Sequence, residues 1–299
     1  MQNPHPPAPS PAPSLPTSPG EGEKRSRGND HPKIRIRGLR KSFGPKQVLD
    51  GVDVDVAPAE SLVIIGGSGT GKSVLLKHII GLLKPNSGTI EVDGTAVEKL
   101  GNREITEFRR KFGMSFQEGA LFDSMTVWQN VAFPLQRLTK LSRGEVRDRV
   151  EECLGLVRLE GVGEKMPSQL SGGMRRRVGF ARAIAHSPEI LLFDEPTTGL
   201  DPVTTALIDE VIVDLNDRLK TTTVTITHDL ESAWRIGDRI AMIHRGKIIA
   251  DAPPEQFRRL DDPRVQQFIH GEAEGPLSDE PRAEKGPEQR GPAAGPETL

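Results

Sequence analysis

Residues 66–73 constrain the fold of this chain more than any other stretch of its sequence. They are Gly-Gly-Ser-Gly-Thr-Gly-Lys-Ser, which fits the pattern G-x-x-x-x-G-K-S/T. An apolar run at residues 62–65 precedes them, and a helical pattern over residues 74–83 follows them. A strand, loop and helix in this order turn backbone N–H groups around an anion, and the helix N-terminus adds partial positive charge. The pattern therefore predicts a phosphate-binding loop and disfavours an ordinary glycine-rich turn.

The end of this loop predicts a nucleotide that is bound together with a metal ion. Lys72 is expected to reach the β- and γ-phosphates, and the hydroxyl of Ser73 is expected to bind Mg²⁺. The predicted phosphate contacts come from the whole loop, which consists of Gly66, Gly67, Ser68, Gly69, Thr70, Gly71, Lys72 and Ser73.

Composition excludes several classes of protein. The 299 residues carry a formal net charge of −2, so nothing in the overall balance calls for nucleic acid as a partner. A single cysteine, Cys153, excludes an internal disulfide and a cysteine-rich metal site. No apolar run approaches the roughly 18 residues of a membrane span, and the N-terminus lacks the pattern of a signal peptide. We therefore expect a cytoplasmic protein whose membrane role, if it has one, comes from partners.

The two ends of the chain differ from its middle. Residues 1–32 alternate Pro with Ala and Ser and then become charged, which predicts a disordered tail because such a segment buries little apolar surface. Residues 33–271 are expected to be ordered. Residues 272–299 are acidic and rich in Pro and Gly, and they predict a flexible tail.

The ordered part predicts an α/β fold. Alternating apolar residues near residue 34 and over residues 52–56 indicate strands of a small N-terminal antiparallel sheet. Apolar residues at helical spacing predict a helical insertion at about residues 123–187. Strand patterns at 190–193 and 222–227 then alternate with helical patterns. This alternation is typical of a parallel sheet flanked by helices.

Two carboxylates follow the apolar strand at residues 190–193. Asp194 stands where a nucleotide-bound Mg²⁺ needs an acidic partner, and Glu195 can orient and polarise an attacking water. A solvated strand end is the alternative interpretation. The phosphate-binding loop upstream favours the chemical one.

A second Ser/Gly element, formed by Ser171, Gly172 and Gly173, opens another predicted helix. Ser171 can cap the helix or donate its hydroxyl to a phosphate oxygen, and the residues alone leave both roles open. The arginines at 175–177 predict a solvated or carboxylate-paired face, because no aromatic residues interleave them as on surfaces that bind nucleic acid.

Three single residues stand at positions that a nucleotide site can use. Gln117 follows a predicted strand and can complete or sense a Mg²⁺ shell. His228 ends the strand at 222–227, where an imidazole can contact a γ-phosphate. Phe43 can stack on an adenine ring or belong to a core or turn. Each residue is structural more often than functional when it is considered alone, and their order along the chain gives them weight.

That order resembles the nucleotide-binding subunit of an ATP-binding cassette (ABC) transporter. The resemblance rests on the loop at 66–73, Gln117, the helical insertion, residues 170–173, Asp194-Glu195, residues 199–201 and His228. It implies a P-loop NTPase fold with a RecA-like parallel sheet. It also implies that Phe43 stacks on adenine, that Gln117 and His228 sense the γ-phosphate, that Glu195 is the catalytic carboxylate and that Asp201 lies in a dimer-facing loop.

The resemblance further implies that the protein is an ATPase that uses ATP and Mg²⁺ as a homodimer. Two cassettes of this family close head to tail on two ATP molecules. Ser171, Gly172 and Gly173 of one subunit would thereby complete the site built on Lys72 of the other.

A narrower likeness connects the chain with the Mla- and Mce-type lipid-transport ATPases. It rests on residues 117–122, Met174 in place of the usual Gln, residues 182–185 and residues 268–277. It implies phospholipid movement, integral membrane permease subunits, a small STAS-like regulatory subunit and a periplasmic lipid-binding protein. The chain would then lie peripherally on the cytoplasmic side of the inner membrane.

Two alternatives remain for the function. One is an ABC ATPase of a different importer, such as one for polar amino acids. The other, a soluble ABC protein that acts on ribosomes or DNA, is disfavoured because the chain has one cassette and a short interval between its two phosphate elements. We expect a partner helix to dock near Phe122, Met125 and Trp128, although these side chains can equally pack the insertion's own core.

Overall fold

The computed structural model describes residues 31–117 and 119–278. Most of the predicted N-terminal tail and most of the predicted C-terminal tail lie outside the described residues. The strands are β1 (Ile34–Phe43), β2 (Lys46–Val56), β3 (Ser61–Ile65), β4 (Ser87–Val92), β5 (Thr95–Ala96), β6 (Phe112–Ser115), β7 (Ile190–Asp194), β8 (Thr222–Thr227), β9 (Arg239–His244) and β10 (Lys247–Ala252). The α-helices are α1 (Lys72–Ile79), α2 (Asn102–Arg109), α3 (Val127–Leu138), α4 (Arg143–Leu156), α5 (Gly172–Ile184), α6 (Pro202–Leu219), α7 (Leu230–Ile236), α8 (Pro254–Phe257) and α9 (Pro263–His270).

The N-terminal strands form an antiparallel sheet with the order β2-β1-β4-β5. In β1, Ile34 and Ile36 are fully buried and pair with Val56 and Val54 of β2. The residues between them carry charged side chains, so one face of the sheet is apolar and the other is polar. This confirms the predicted antiparallel β subdomain.

A six-stranded sheet with the order β10-β9-β3-β8-β7-β6 forms the centre of the fold. The pairs from β9 through β6 are parallel, and β10 joins the edge in the antiparallel sense. Strands β3, β7 and β8 are almost continuously buried, because helices cover both faces of a parallel sheet. The predicted P-loop α/β fold is confirmed.

The register of the central sheet brings three strand ends to one edge. Ile65 of β3 pairs with Thr227 of β8, and Asp194 of β7 pairs with Ile226 of β8. The loop at 66–73, the two carboxylates at the end of β7 and the residue after β8 therefore lie side by side. Ligands bind at this carboxyl edge in α/β proteins, so the sheet topology places the site.

The predicted helical insertion contains α3, α4 and α5. Ser142 caps α4 with a side-chain oxygen that accepts a hydrogen bond from Glu145 N. Val146, Val150 and Leu154 of α4 are buried against α3 and α5, in agreement with their helical spacing. The insertion thus shares its core with the central sheet.

The end of the described chain differs from the predicted tail. Residues 272–278 return to α9, where the Gln267 side chain accepts a hydrogen bond from Leu277 N at 2.7 Å and donates one to Glu272 O at 3.1 Å. Leu277 packs on the hydrophobic core. One apolar side chain and one buried amide therefore hold a segment whose composition alone predicts flexibility.

Candidate functional site

A cleft of about 600 Å³ opens at the carboxyl edge of the central sheet. It brings together residues that are far apart in sequence, because β3, β7 and β8 end next to one another. The lining contains most of the predicted site residues, namely Phe43, Ser68, Gly69, Thr70, Gly71, Lys72, Ser73, Gln117, Asp194, Glu195 and His228.

Two glycines of the phosphate-binding loop cannot carry a side chain. Gly66 has φ 152°, and a Cβ added there would lie 2.3 Å from Ile243 O. Gly71 has φ 103°, and its Cβ would lie 2.9 Å from Val48 O. Both positions combine a positive φ with close backbone neighbours, so the loop requires glycine on steric grounds.

Lys72, near the end of the phosphate-binding loop, has a buried side chain. Its Nζ donates hydrogen bonds to Gly66 O at 2.7 Å and Gly67 O at 3.0 Å, and it lies 3.6 Å from Oε1 of Glu195. Burial lowers the pKa of Lys72, and the carboxylate of Glu195 opposes that effect. When a phosphate enters the loop, the ammonium group of Lys72 can exchange its bonds to these carbonyls for bonds to phosphate oxygens.

Ser73 and Asp194 form a hydrogen-bonded pair of oxygen groups in the lining of the cleft. Ser73 Oγ donates a hydrogen bond to Asp194 Oδ1 at 3.2 Å. Burial raises the pKa of Asp194, whereas the bond from Ser73 lowers it. A hydroxyl and a carboxylate at this separation are hard oxygen donors of the kind that Mg²⁺ prefers, so these two residues fit the predicted metal.

Glu195 stands in a strained backbone position with φ 50°. Its Oε2 accepts a hydrogen bond from Thr198 Oγ1 at 2.9 Å and lies 2.8 Å from Nδ1 of His228. The Glu195 N–H donates to Ile226 O of the neighbouring strand at 2.9 Å. Both carboxylate oxygens are therefore oriented by side chains. Thr198 is a site residue that the sequence analysis missed, and its place three residues after Glu195 is the only signal that the sequence carries.

Phe43 and Gln117 both line the cleft. Phe43 is 48% exposed, and Lys41 Nζ lies 5.3 Å from the centre of its ring. An exposed ring at the rim of the cleft is available for stacking, and it is not part of a core. Gln117 lines both this cleft and a second cavity of about 650 Å³.

The Ser/Gly element lies outside the nucleotide-sized cleft. Ser171 Oγ accepts a hydrogen bond from Met174 N at 3.2 Å and so caps α5. Gly172 lines the second cavity together with Gly199 and Leu200. In the described part of this chain, Ser171, Gly172 and Gly173 are not brought to the phosphate-binding loop.

Asp201 also lies outside the cleft, where it caps α6. Its Oδ1 accepts hydrogen bonds from Val203 N at 3.1 Å and Thr204 N at 3.0 Å. The hydroxyl and backbone N–H of Thr204 lower the pKa of Asp201. The cap fixes the loop that begins at Gly199.

The prediction of a solvated or carboxylate-paired arginine face at 175–177 agrees with the exposure of Arg175 but is wrong for Arg176. Arg176 is buried, and the described hydrogen bonds of all three arginines run to backbone carbonyls. A guanidinium has five N–H donors, so it can satisfy several loop carbonyls at once. Spacing in the sequence could not show this, because the acceptors belong to distant segments.

Comparison with known proteins agrees with this geometry. A family model described as ABC transporter matches residues 49–198. The chain is 43% identical over 244 residues to a protein named "Probable ribonucleotide transport ATP-binding protein mkl" of Mycobacterium leprae (strain TN), which is 82% of this chain and 70% of that protein. Over 244 residues it is 41% identical to the intermembrane phospholipid transport system ATP-binding protein MlaF of Haemophilus influenzae, covering 82% of this chain and 92% of that protein.

A third relative is the methionine import ATP-binding protein MetN of Carboxydothermus hydrogenoformans, 43% identical over 241 residues, which are 79% of this chain and 71% of that protein. Among solved structures, the chain matches a dimeric post-hydrolysis state of an ATP-binding cassette bound to ADP and Pi. The TM-score is 0.69 at 34% identity, covering 74% of this chain and 98% of that one. None of the helices over residues 31–117 and 119–278 combines the length and the apolarity needed to cross a membrane.

The family model and these relatives show that the chain belongs to the ABC transporter family, as an ATP-binding subunit that hydrolyses ATP.

Proposed function

We propose that this ABC ATPase powers a transporter that moves phospholipid, or a related lipid, across the cell envelope. The observation that carries the proposal is the 41% identity to a phospholipid transport ATP-binding protein, of which the chain covers 92%. This match extends over nearly the whole of that relative. Residues 268–277, one of the segments behind the Mla- and Mce-type resemblance, fold onto the described domain through Gln267 and Leu277.

In the proposed site, the residues of the cleft divide the binding and the chemistry of ATP between them. Phe43 stacks on the adenine ring, and the loop from Gly66 to Ser73 holds the phosphates through backbone N–H groups and Lys72. Ser73, Asp194 and Gln117 would hold Mg²⁺, which when bound neutralises charge on the phosphate oxygens. Glu195 takes a proton from the attacking water.

The orientation of Glu195 supports its role as the base. Its Oε2 is held by Thr198 and lies beside His228, and its Oε1 lies 3.6 Å from Lys72. A carboxylate held from both sides loses little freedom when it receives a proton, so the chain supplies orientation before the substrate arrives. We propose that Gln117 and His228 contact the γ-phosphate region from the two sides of this carboxylate.

We further propose that the protein works as a homodimer. Ser171, Gly172 and Gly173 lie outside the cleft of their own chain, at the start of a capped helix whose free N–H groups attract anions. The 34% identity to a dimeric cassette bound to ADP and Pi supports a second copy as the source of that anion. Asp201 would then lie in the loop that faces the partner.

Integral membrane permease subunits are the proposed partners of the helical insertion. Phe122 is 41% exposed and lies 4.8 Å, between ring centres, from Phe133. Exposed aromatic residues that support each other are frequent anchors for a partner helix. We also propose a STAS-like regulatory subunit and a periplasmic lipid-binding protein as partners, with the chain on the cytoplasmic side of the inner membrane.

The proposed domain boundaries are residues 33–271 for the ATPase domain and about residues 123–187 for its inserted helices.

The cargo is tested by purifying the chain with its native membrane partners and identifying the bound small molecules by mass spectrometry. We expect phospholipid in the complex, and ATPase activity that rises when lipid is supplied. Recovery of methionine, to which the 43% identity with a methionine import protein points, would instead support the importer alternative. Ribonucleotide cargo would likewise overturn the lipid proposal.

A further inference from the structure

The buried arginine of α5 contacts two loops of the site at once. Arg176 is 8% exposed. Its Nε donates to Gln117 O at 2.8 Å, its Nη1 donates to Pro196 O at 3.1 Å and its Nη2 donates to Thr198 O. A buried guanidinium is unfavourable unless its donors are satisfied, so these carbonyls are held firmly. They belong to the loop after β6 and the loop after β7.

Thr198 transmits this contact to the carboxylate. Its carbonyl accepts from Arg176, and its hydroxyl donates to Oε2 of Glu195 at 2.9 Å. Glu195 itself has φ 50°, a conformation that persists only where its surroundings impose it. The loop from Pro196 to Thr198 supplies part of that constraint, and Arg176 holds the loop.

We propose that Arg176 is a positioning residue that orients Glu195 through Thr198. The same side chain thereby ties the carboxylate to α5, whose first residues are the proposed contact for the nucleotide of a second copy. Any shift of α5 on dimer closure would be transmitted to Glu195 over two hydrogen bonds. The inference rests on the proposed role of Glu195 as the base, and it does not depend on the cargo.

A neighbouring arginine provides a matched control. Arg177 lies on the same helix, and its Nη1 donates to Val157 O at 3.3 Å and Arg158 O at 2.8 Å at the end of α4. Neither acceptor lies in a loop of the site. Arg177→Gln therefore removes a comparable set of bonds to backbone carbonyls while leaving Gln117 and Thr198 untouched.

The first test measures kcat, KM and nucleotide affinity of the full chain. Arg176→Gln should lower kcat about 100-fold, since a small misplacement of a catalytic group has that effect, while the Kd for ATP stays near wild type. Arg176→Lys keeps a donor and should recover part of the loss. Arg177→Gln should retain kcat. Equal losses in the two glutamine variants, or a wild-type kcat in Arg176→Gln, would overturn the proposal.

The second test is a double-mutant cycle. Thr198→Val removes the hydroxyl but keeps the carbonyl, so its combination with Arg176→Gln should lose no more kcat than the worse single variant. Multiplicative losses would contradict action through Thr198. Thr198→Ser, which keeps the hydroxyl, should restore kcat. If Arg176→Gln does not fold, Arg176→Lys takes its place in the cycle.

Glu195→Gln, assayed in parallel, separates the two proposals. If Glu195→Gln retains turnover, the assigned base is wrong. If Glu195→Gln is inactive while Arg176→Gln has wild-type kcat, only the positioning role of Arg176 fails.

Discussion

Nδ1 of His228 lies 2.8 Å from Oε2 of Glu195, the oxygen that also accepts a hydrogen bond from the hydroxyl of Thr198. The two partners come from different strand ends, and Lys72 approaches the other oxygen of the same carboxylate. Glu195 is thus held at the meeting point of three segments. Its position decides which variants should change chemistry and which should change binding.

Replacing Glu195 with Gln should remove most ATP turnover and leave ATP binding intact. The amide keeps the size of the side chain but cannot take a proton, and a positioned base contributes on the order of 10² to 10⁴ in rate. Steady-state phosphate release and equilibrium ATP binding measure the two effects. Glu210→Gln is the control, because Glu210 lies on α6 and pairs with Arg158, away from the cleft. Wild-type turnover in Glu195→Gln would refute the assignment of the base.

Replacing Phe43 with Ala should weaken ATP binding without altering kcat at saturation. Stacking of one base on an aromatic side chain contributes about 1–3 kcal/mol, so we expect a rise of about tenfold or more in Kd. Phe43→Tyr keeps the ring and should bind ATP nearly as well as wild type. The same titration with inorganic triphosphate, which has no base to stack, supplies a second check. Wild type and Phe43→Ala should bind it equally. An unchanged Kd for ATP in Phe43→Ala would exclude stacking.

Replacing Phe122 with Ala should weaken assembly with the membrane subunits and lower the melting temperature less than Trp128→Ala does, because the Phe122 ring is 41% exposed although it packs on Phe133. Loss of an exposed aromatic anchor typically costs about 1–2 kcal/mol of binding free energy, which is a loss of about 5- to 30-fold in affinity. Co-purification from membranes reports the effect. Leu82→Ala is a matched control, because Leu82 is 48% exposed and lies outside the helical insertion. Full recovery of the complex with Phe122→Ala would contradict docking at this surface.

Trp128 is a poorer test of docking than its sequence suggests. Its side chain packs against the core, whereas its backbone N–H, which Ala would keep, donates to Gly163 O at 2.8 Å. Trp128→Ala should therefore lower the melting temperature as well as assembly, which mixes two effects. Phe122→Ala tests assembly with a smaller effect on the melting temperature.

Asp209 should make stability depend on pH. It is 1% exposed, its Oδ2 accepts from Ser232 Oγ at 3.1 Å and from Arg235 at 3.2 Å, and burial raises its pKa to about 6. The folded state thus binds a proton that the unfolded state releases near pH 4, so this group's contribution to stability is complete below about pH 4 and is lost as the pH rises through about 6.

Asp209→Asn cannot titrate, and it measures that loss. Relative to wild type, its free energy of unfolding should rise by about 2 kcal/mol between pH 4 and pH 7, from the pKa change of Asp209. Urea denaturation of both proteins at several pH values gives the difference. A constant difference across this range would show that Asp209 has an ordinary pKa.

The amino-acid sequence by itself determined the phosphate-binding loop, the α/β alternation and the order of the motifs. These features depend on neighbours within a few residues: a glycine that tolerates positive φ, an apolar run, or a serine before a helix. Gln117, Asp194, Glu195 and His228 could be found because each stands at or just after the end of a strand. In a parallel sheet, strand ends meet at one edge, and the structure brings these four residues to one cleft.

The tertiary structure alone decided how these residues are held. The bonds from Thr198 and His228 to Glu195, the burial of Arg176 beneath two loops and the return of Leu277 to Gln267 join segments whose separation in sequence carries no local pattern. The same holds for Arg176, where the sequence predicted a solvated or carboxylate-paired face and the fold supplied backbone acceptors. Local propensities specify the elements, whereas the satisfaction of buried polar groups depends on which elements become neighbours.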